Sequence, residues 1–161
     1  MSTENLDRRD AMAKAVAKKL HSLEGTSPAW DLKLEDAGFG WARVSMIIRA
    51  DMLNGLGTAH GGMIFSLADT AFAYVCNSRN VATFAQHASI SFLSAGREGE
   101  RLTAEAREDA AEGRTGVYSV RVIGEDGRVV AIFQGLSRTA GGPIINEMLV
   151  DEAQTHEETN D

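Results

Sequence analysis

The sequence predicts an α+β fold in which an antiparallel sheet packs on one buried central helix. Three observations predict it. The stretch Met63 to Ser78, MIFSLADTAFAYVCNS, has helix length and carries apolar side chains on all sides of its axis, the pattern of a helix covered over most of its surface. Four segments follow it, Ala82 to Leu93, Arg101 to Ala111, Thr115 to Ile123 and Val129 to Thr139, each of strand length and each set off by turn-forming residues. A doubly wound parallel sheet needs more helices than this chain offers, because parallel strands are joined by helical crossovers.

The elements follow in chain order. From Asp10 to Leu23, the residues Met12, Ala15, Val16, Leu20 and Leu23 recur at helical spacing among Arg and Lys, which predicts a peripheral amphipathic helix. Between Gly40 and Ala50, the residues Ala42, Val44, Met46, Ile48 and Ala50 alternate with Trp41, Arg43, Ser45 and Arg49, which predicts a strand. Asn54 to His60, with Gly55 and Gly57, reads as a turn leading into the buried helix. Turns at Ser94 to Gly99 and Glu112 to Arg114, and the Asp126-Gly127 pair, divide the later strands. The predicted order is helix, strand, buried helix, then a meander of four strands. Residues 1–38 read as an N-terminal helical segment, 39–140 as the domain and 141–161 as a tail. Beyond Val150 the chain is acidic and almost free of apolar residues, so its end is expected to be disordered.

Composition narrows the function. The 161 residues suit one domain, and 16 basic against 23 acidic residues give a net charge of −7, which argues against a nucleic-acid partner because such proteins neutralise phosphates. Cys76 is the one cysteine, so no intramolecular disulfide forms and a reducing, cytoplasmic location is predicted. The first twenty residues lack the apolar run of a secretory signal, and no stretch reaches the roughly 20 apolar residues of a membrane span. His21, His60, His87 and His156 are scattered, with no metal-binding spacing among them, so no metal is expected. His21 and His156 look incidental, and His87 faces either a cleft or solvent.

Asp69 is the one charged residue between Gly61 and Ser78, and no basic residue lies three or four positions away. An unpaired carboxylate in a buried helix is costly. It either accepts hydrogen bonds from a neighbouring element or serves as a catalytic base or nucleophile whose pKa burial raises. The loop Leu53 to Gly62, LNGLGTAHGG, leads into the helix N-terminus, where free N–H groups favour negative charge. It lacks the Gly-Lys-Ser/Thr of a phosphate-binding loop, and His60 stands where the dinucleotide motif has its third glycine. That leaves the Gly61 N–H as a candidate oxyanion donor. Asn54 and His60 either orient a water or brace the loop. Cys76 reads as a packing residue. Gly61 and Asp69 are eight positions apart, about 12 Å along a helix, so they cannot meet on one carbonyl within one chain. Two antiparallel copies of the helix would bring the Gly61 end of one chain to Asp69 of the other.

The motif N-G-x-G-x-x-H-G-G followed by S-L-A-D, at Asn54 to Asp69, resembles the hotdog-fold acyl-CoA thioesterases. The segment Gly113-Arg114-Thr115-Gly116-Val117-Tyr118 makes the resemblance closest to the phenylacetate-degradation branch, and the likeness runs from about Gly40 to Thr139. It implies a sheet curled around a long helix, dimers with active sites at the subunit interface, and commonly tetramers. By position, Asp69 matches the family's catalytic carboxylate and Gly61 the N–H that polarises the thioester carbonyl. Asn54 and His60 match loop residues that position the carbonyl, water or leaving thiolate. Arg97, Arg114, Arg138 and Thr70 are the candidates for contact with substrate or coenzyme A. Ala85 stands where some relatives carry an assisting serine, and Ser94-Ala95-Gly96-Arg97 lacks a proline often found there. The implied activity is hydrolysis of phenylacetyl-CoA or a related aryl acyl-CoA, without a cofactor beyond the coenzyme A of the substrate. The alternative is a noncatalytic acyl-CoA or acyl-carrier binding module on the same fold.

Overall fold

The computed structural model describes residues 3–146. Its elements are α1 (Thr3–Leu23), α2 (Thr26–Trp30), β1 (Lys33–Gly38), β2 (Trp41–Ile47), α3 (Gly61–Cys76), β3 (Thr83–Phe92), β4 (Arg101–Glu112), β5 (Thr115–Ile123) and β6 (Val129–Thr139). The six strands form one antiparallel sheet in the order β1-β2-β4-β5-β6-β3. The acidic tail lies outside the described residues. None of the described helices is long and apolar enough to cross a membrane.

Helix α3 lies on the sheet and supplies the centre of the core. Ile64, Leu67, Ala68, Ala71, Phe72, Tyr74 and Val75 are buried against Val44 and Met46 of β2, Leu102 and Ala104 of β4, Val120 and Val122 of β5, and Phe133 of β6. Phe72 stacks between Tyr118 and Phe133, at 5.3 and 5.6 Å between ring centres. Gly135 makes this possible, because a Cβ at that position would stand 2.6 Å from the Phe72 ring. Gly135→Ala is therefore expected to destabilise the fold by about 1–3 kcal/mol through overpacking, measured as a lower urea midpoint with an unchanged slope.

Two expectations are corrected here. The last four strands do not form a meander. Only β4, β5 and β6 do, while β3 crosses the molecule to pair with β6, Phe92 opposite Ala131 and Thr83 opposite Thr139. The place beside β4 is taken by β2, with Met46 opposite Leu102. The second correction is β1, which lies within the segment read as helical. Lys33 and Glu35 are exposed while Leu34 is half-buried, too short an alternation to stand out from sequence, and the strand forms because Gly38 to Trp41 makes a tight hairpin with Gly40 at φ 75°.

Helix α1 packs Ala13, Val16 and Ala17 into the core, with Leu20 beside them, and leaves Leu23 exposed because the chain turns away there. Lys14 pairs with Asp36 of β1 at 2.7 Å. At the far end of α3, the buried Asn77 donates to the Ala73 and Thr83 carbonyls and accepts from the Thr83 N–H, fastening the helix to the start of β3.

Candidate active site

The loop before α3 is built from its own side chains. The Asn54 carboxamide oxygen accepts from the N–H groups of Leu56 and Thr58, and its nitrogen donates to the Thr58 hydroxyl at 3.0 Å. The side chain thus holds the turn in shape, an Asx-type device open to Asn and Asp. His60 caps the helix. Its Nδ1 accepts from the Gly62 N–H at 2.9 Å, and its carbonyl accepts from Met63 and Ile64. A neutral imidazole that accepts at Nδ1 carries its proton on Nε2, and His60 presents that N–H from an exposed position.

The capping pattern singles out Gly61. The N–H groups of Gly62, Met63 and Ile64 are all engaged, while that of Gly61 has no partner among the described residues. It is an unsatisfied donor at the positive end of the helix dipole, the arrangement that stabilises a developing oxyanion. Gly61 borders a cavity of about 410 Å³, lined also by Asn54, Thr58, Ile64, Phe92 and Ser94. No side chain fits at Gly61 without displacing Phe92, whose ring lies 3.0 Å from where a Cβ would be. A larger cleft of about 630 Å³ lies elsewhere, between the start of α1 and Arg79.

Asp69 sits on the open side of α3. Gly62 is exposed and Ser66, Asp69 and Ala73 are half-buried along this line, whereas Leu67, Ala68, Ala71, Phe72 and Val75 turn to the core. The Asp69 carboxylate has no hydrogen bond or ion pair with any described residue. Burial, and secondarily the charge of Glu24, raise its pKa above the ordinary aspartate range. A carboxylate so placed is a better base than a solvated one. Cys76 is no rival nucleophile, since burial above all, with the Asp69 charge, pushes its thiol up to about 12.

The other candidates separate. Thr70 is buried and donates its hydroxyl to the Ser66 carbonyl at 2.9 Å. Arg97 lies 3.8 Å from Asp126 at the Gly61 end of the sheet. Arg114 donates twice to the Thr139 carbonyl at the opposite end, and Arg138, paired in register with Thr115, is exposed at that end. His87 stands opposite Leu136, one place out of phase with the inward Gly135, and so faces away from α3. His21 is not incidental, for it bonds both Tyr74 and Ser27. Among the described residues, no group of three or more His, Cys, Asp or Glu side chains gathers as a metal site would. Of the aromatic residues near the helix, Phe72 and Tyr74 are core, Phe65 packs on Phe133, and Phe92 alone lines the cavity.

Comparison with known proteins decides the family. Residues 56–131 match the model of the thioesterase superfamily. The acyl-coenzyme A thioesterase PaaI of Escherichia coli is 45% identical over 108 residues, 67% of this chain and 77% of that protein. The chain belongs to the thioesterase superfamily. A putative esterase of Archaeoglobus fulgidus is 31% identical over 128 residues, 80% of this chain and 83% of the other. The structure of E. coli PaaI superposes with a TM-score of 0.79 at 38% identity, covering 80% of this chain and 94% of that one. The structure of a hypothetical thioesterase of Streptococcus pneumoniae with coenzyme A superposes with a TM-score of 0.67 at 26% identity, covering 70% of this chain and 90% of that one. This thioesterase is thus a PaaI-type thioester hydrolase of the hotdog fold, its six-stranded sheet laid on the long α3.

Proposed function

We propose that this thioesterase hydrolyses phenylacetyl-CoA or a ring-hydroxylated relative to the free acid and coenzyme A, as a step in phenylacetate degradation. The observation that carries the reading is the unpartnered Gly61 N–H at a cavity with an aromatic wall, Phe92. The name of the E. coli relative, an acyl-coenzyme A thioesterase, supports the substrate class, and the coenzyme A bound by the pneumococcal relative supports it further.

In this reading the thioester oxygen accepts from the Gly61 N–H, which holds the negative charge that develops as water adds to the carbonyl carbon. Asp69 takes the proton from that water, or attacks the carbon itself before water releases the acyl group. The C–S bond then breaks, and the thiolate of coenzyme A leaves and takes up a proton. Asn54 shapes the loop, and the outward Nε2–H of His60 donates to the thioester or the leaving sulfur.

Because about 12 Å of helix separates Gly61 from Asp69, one site needs two chains. The small residues Gly62, Ser66 and Ala73 beside Asp69 allow a second α3 to approach antiparallel, and among the described residues the outer edge of β3 pairs with no other strand. The assembly is a homodimer or a dimer of dimers. Antiparallel pairing brings the Arg97 end of one chain toward the Arg114 and Arg138 end of the other, where these cations receive the phosphates of coenzyme A, with Thr70 lining the path. The lone thiol Cys76 suits a reducing cytoplasm.

The test is free-thiol release from phenylacetyl-, hydroxyphenylacetyl-, benzoyl- and straight-chain acyl-CoA. Fastest release on the aryl thioesters is expected. Faster release on straight chains would overturn the acyl specificity, and tight binding without release of thiol would overturn hydrolysis.

A further inference from the structure

The cleft of about 630 Å³ at the start of α1 gathers three guanidinium groups in a chain whose net charge is −7. Arg8 and Arg9 come from α1, Arg79 comes from just past the end of α3, and Phe39, at the tip of the β1-β2 hairpin, lines the cleft with them. The Arg9 Cζ lies 3.4 Å from the centre of the Phe39 ring, and the Arg79 Cζ lies 4.5 Å from it. Each guanidinium is attracted to the ring, but two cations held on one ring repel each other. An anion between them removes that repulsion. The ring is fixed from three directions. The Phe39 N–H donates to Asp10 Oδ1 at 2.7 Å, the Gly40 N–H donates to the buried Ser78 hydroxyl at 3.2 Å, and the Gly40 carbonyl accepts from the Glu108 N–H at 2.9 Å. Helix α1, the end of α3 and β4 thus hold the floor of the cleft in shape before any ligand arrives, which lowers the cost of binding one.

Part of this cationic array is open. Glu108 Oε1 accepts from one Nη of Arg79, and the Arg79 guanidinium makes no other hydrogen bond among the described residues. Among the described residues, Glu4 is the one carboxylate that lines the cleft, against three arginines. A guanidinium laid on an aromatic ring keeps its N–H edge for an oxyanion, and phosphate oxygens match its fork. The volume lies in the range of small-molecule sites, and Met12 and Phe39 give it an apolar wall. We propose that this cleft binds a small molecule carrying two or more phosphate groups, with Arg9 and Arg79 as its anchors and Arg8 at its exposed side. The site lies past the end of α3 opposite to Gly61, and Arg8, Arg9 and Phe39 precede the 56–131 family match. It does not depend on the roles given to Gly61 and Asp69. The phosphates belong either to a free phosphorylated metabolite or to the nucleotide end of coenzyme A, and the chemistry that recognises them is the same.

The experiment is calorimetric titration of the full chain with inorganic pyrophosphate and with adenosine diphosphate, neither of which contains a thioester. Binding is expected, with an affinity that falls as salt rises. Arg9→Gln and Arg79→Gln are each expected to weaken it about tenfold, the loss of one charge-assisted hydrogen bond. Arg9→Lys keeps the charge without the planar fork and is expected to recover part of the affinity. Because Arg79→Gln also leaves Glu108 without its partner, Arg8→Gln supplies a further variant at an exposed position, with a smaller loss in the same direction. Two results overturn the proposal. One is the absence of binding of either probe at millimolar concentration. The other is binding that the Arg8, Arg9 and Arg79 variants leave unmoved, which would put the anion elsewhere on the chain. Thiol release from phenylacetyl-CoA then separates the sources. A KM raised by Arg9→Gln at constant kcat assigns the phosphates to the coenzyme A of the substrate, and an unmoved KM assigns them to a free metabolite. Wild-type protein that releases no thiol from any acyl-CoA would instead sink the functional reading, while the titrations still decide whether the cleft takes phosphates.

Discussion

Asp69→Asn is expected to lower kcat by about 10²- to 10⁴-fold, the range lost when a general acid–base group is removed, while the fold persists. Free-thiol release and circular dichroism measure the two halves of that expectation. Persistence of the fold follows from the site itself, since the Asp69 carboxylate holds no hydrogen bond or ion pair among the described residues. The variant is expected to be more stable than the wild type at neutral pH. Asp69 has its pKa raised in the folded state by burial first and Glu24 second, so between the unfolded and folded values the native protein binds more protons. Stability then falls as pH rises through that window, and the penalty is fully present above it. The advantage of Asp69→Asn is accordingly greatest at neutral pH and fades as pH drops below the unfolded aspartate value. Wild-type kcat in the variant would remove Asp69 from the chemistry.

Gly61→Pro addresses the other half of the site. Proline is favoured at the first position of a helix, where its missing N–H is one that the helix does not use. The residue before it must be extended, and His60 is, at φ −62° and ψ 134°. The substitution therefore deletes the candidate oxyanion donor with little cost to the helix. Gly61→Ala is its control, because both place a Cβ against Phe92 but only proline removes the N–H. Relative to Gly61→Ala, the proline variant is expected to lose a further ~10²- to 10³-fold in kcat with a smaller change in KM. Equal rates for the two variants would show that the donor is not used.

Much of this architecture was legible because its signals are local. The apolar surround of α3, the turns at Glu112 to Arg114 and Asp126-Gly127, and the isolation of Asp69 each lie within one short stretch, and these features stand where their patterns placed them, whereas β1 lies in a segment read as helical. The place of β3 was not legible. Strand order is decided by long-range pairing, and nothing within residues 83–92 records that β6 rather than β4 is the neighbour. The hydrogen-bonded cluster of His21, Glu24, Ser27 and Tyr74 was hidden for the same reason. His21, Glu24 and Ser27 are ordinary polar residues in a helix–turn–helix corner, and only the fold brings Tyr74, some fifty positions on, into their midst. In the loop, the motif showed which residues matter but not the division of labour. Asn54 and His60 spend their inward atoms on bracing, which leaves the Gly61 N–H free.

The pairing of β2 with β4 bears on how the chain acquires its site. Ile47 meets Arg101 directly, so the whole stretch 48–100, carrying Asn54, His60, Gly61, Asp69 and Phe92, is a single excursion between two adjacent strands. Bringing the ends of so long an excursion together costs chain entropy before any long-range contact offsets it, and such non-local pairing slows folding relative to local hairpins. The β4-β5-β6 meander, joined by short turns, has no such delay. The meander is therefore expected to form first as a template, with the excursion folding onto it as one cooperative piece. On this expectation β3, which completes the sheet, docks together with the catalytic residues, so the edge strand and the chemistry arrive in one step.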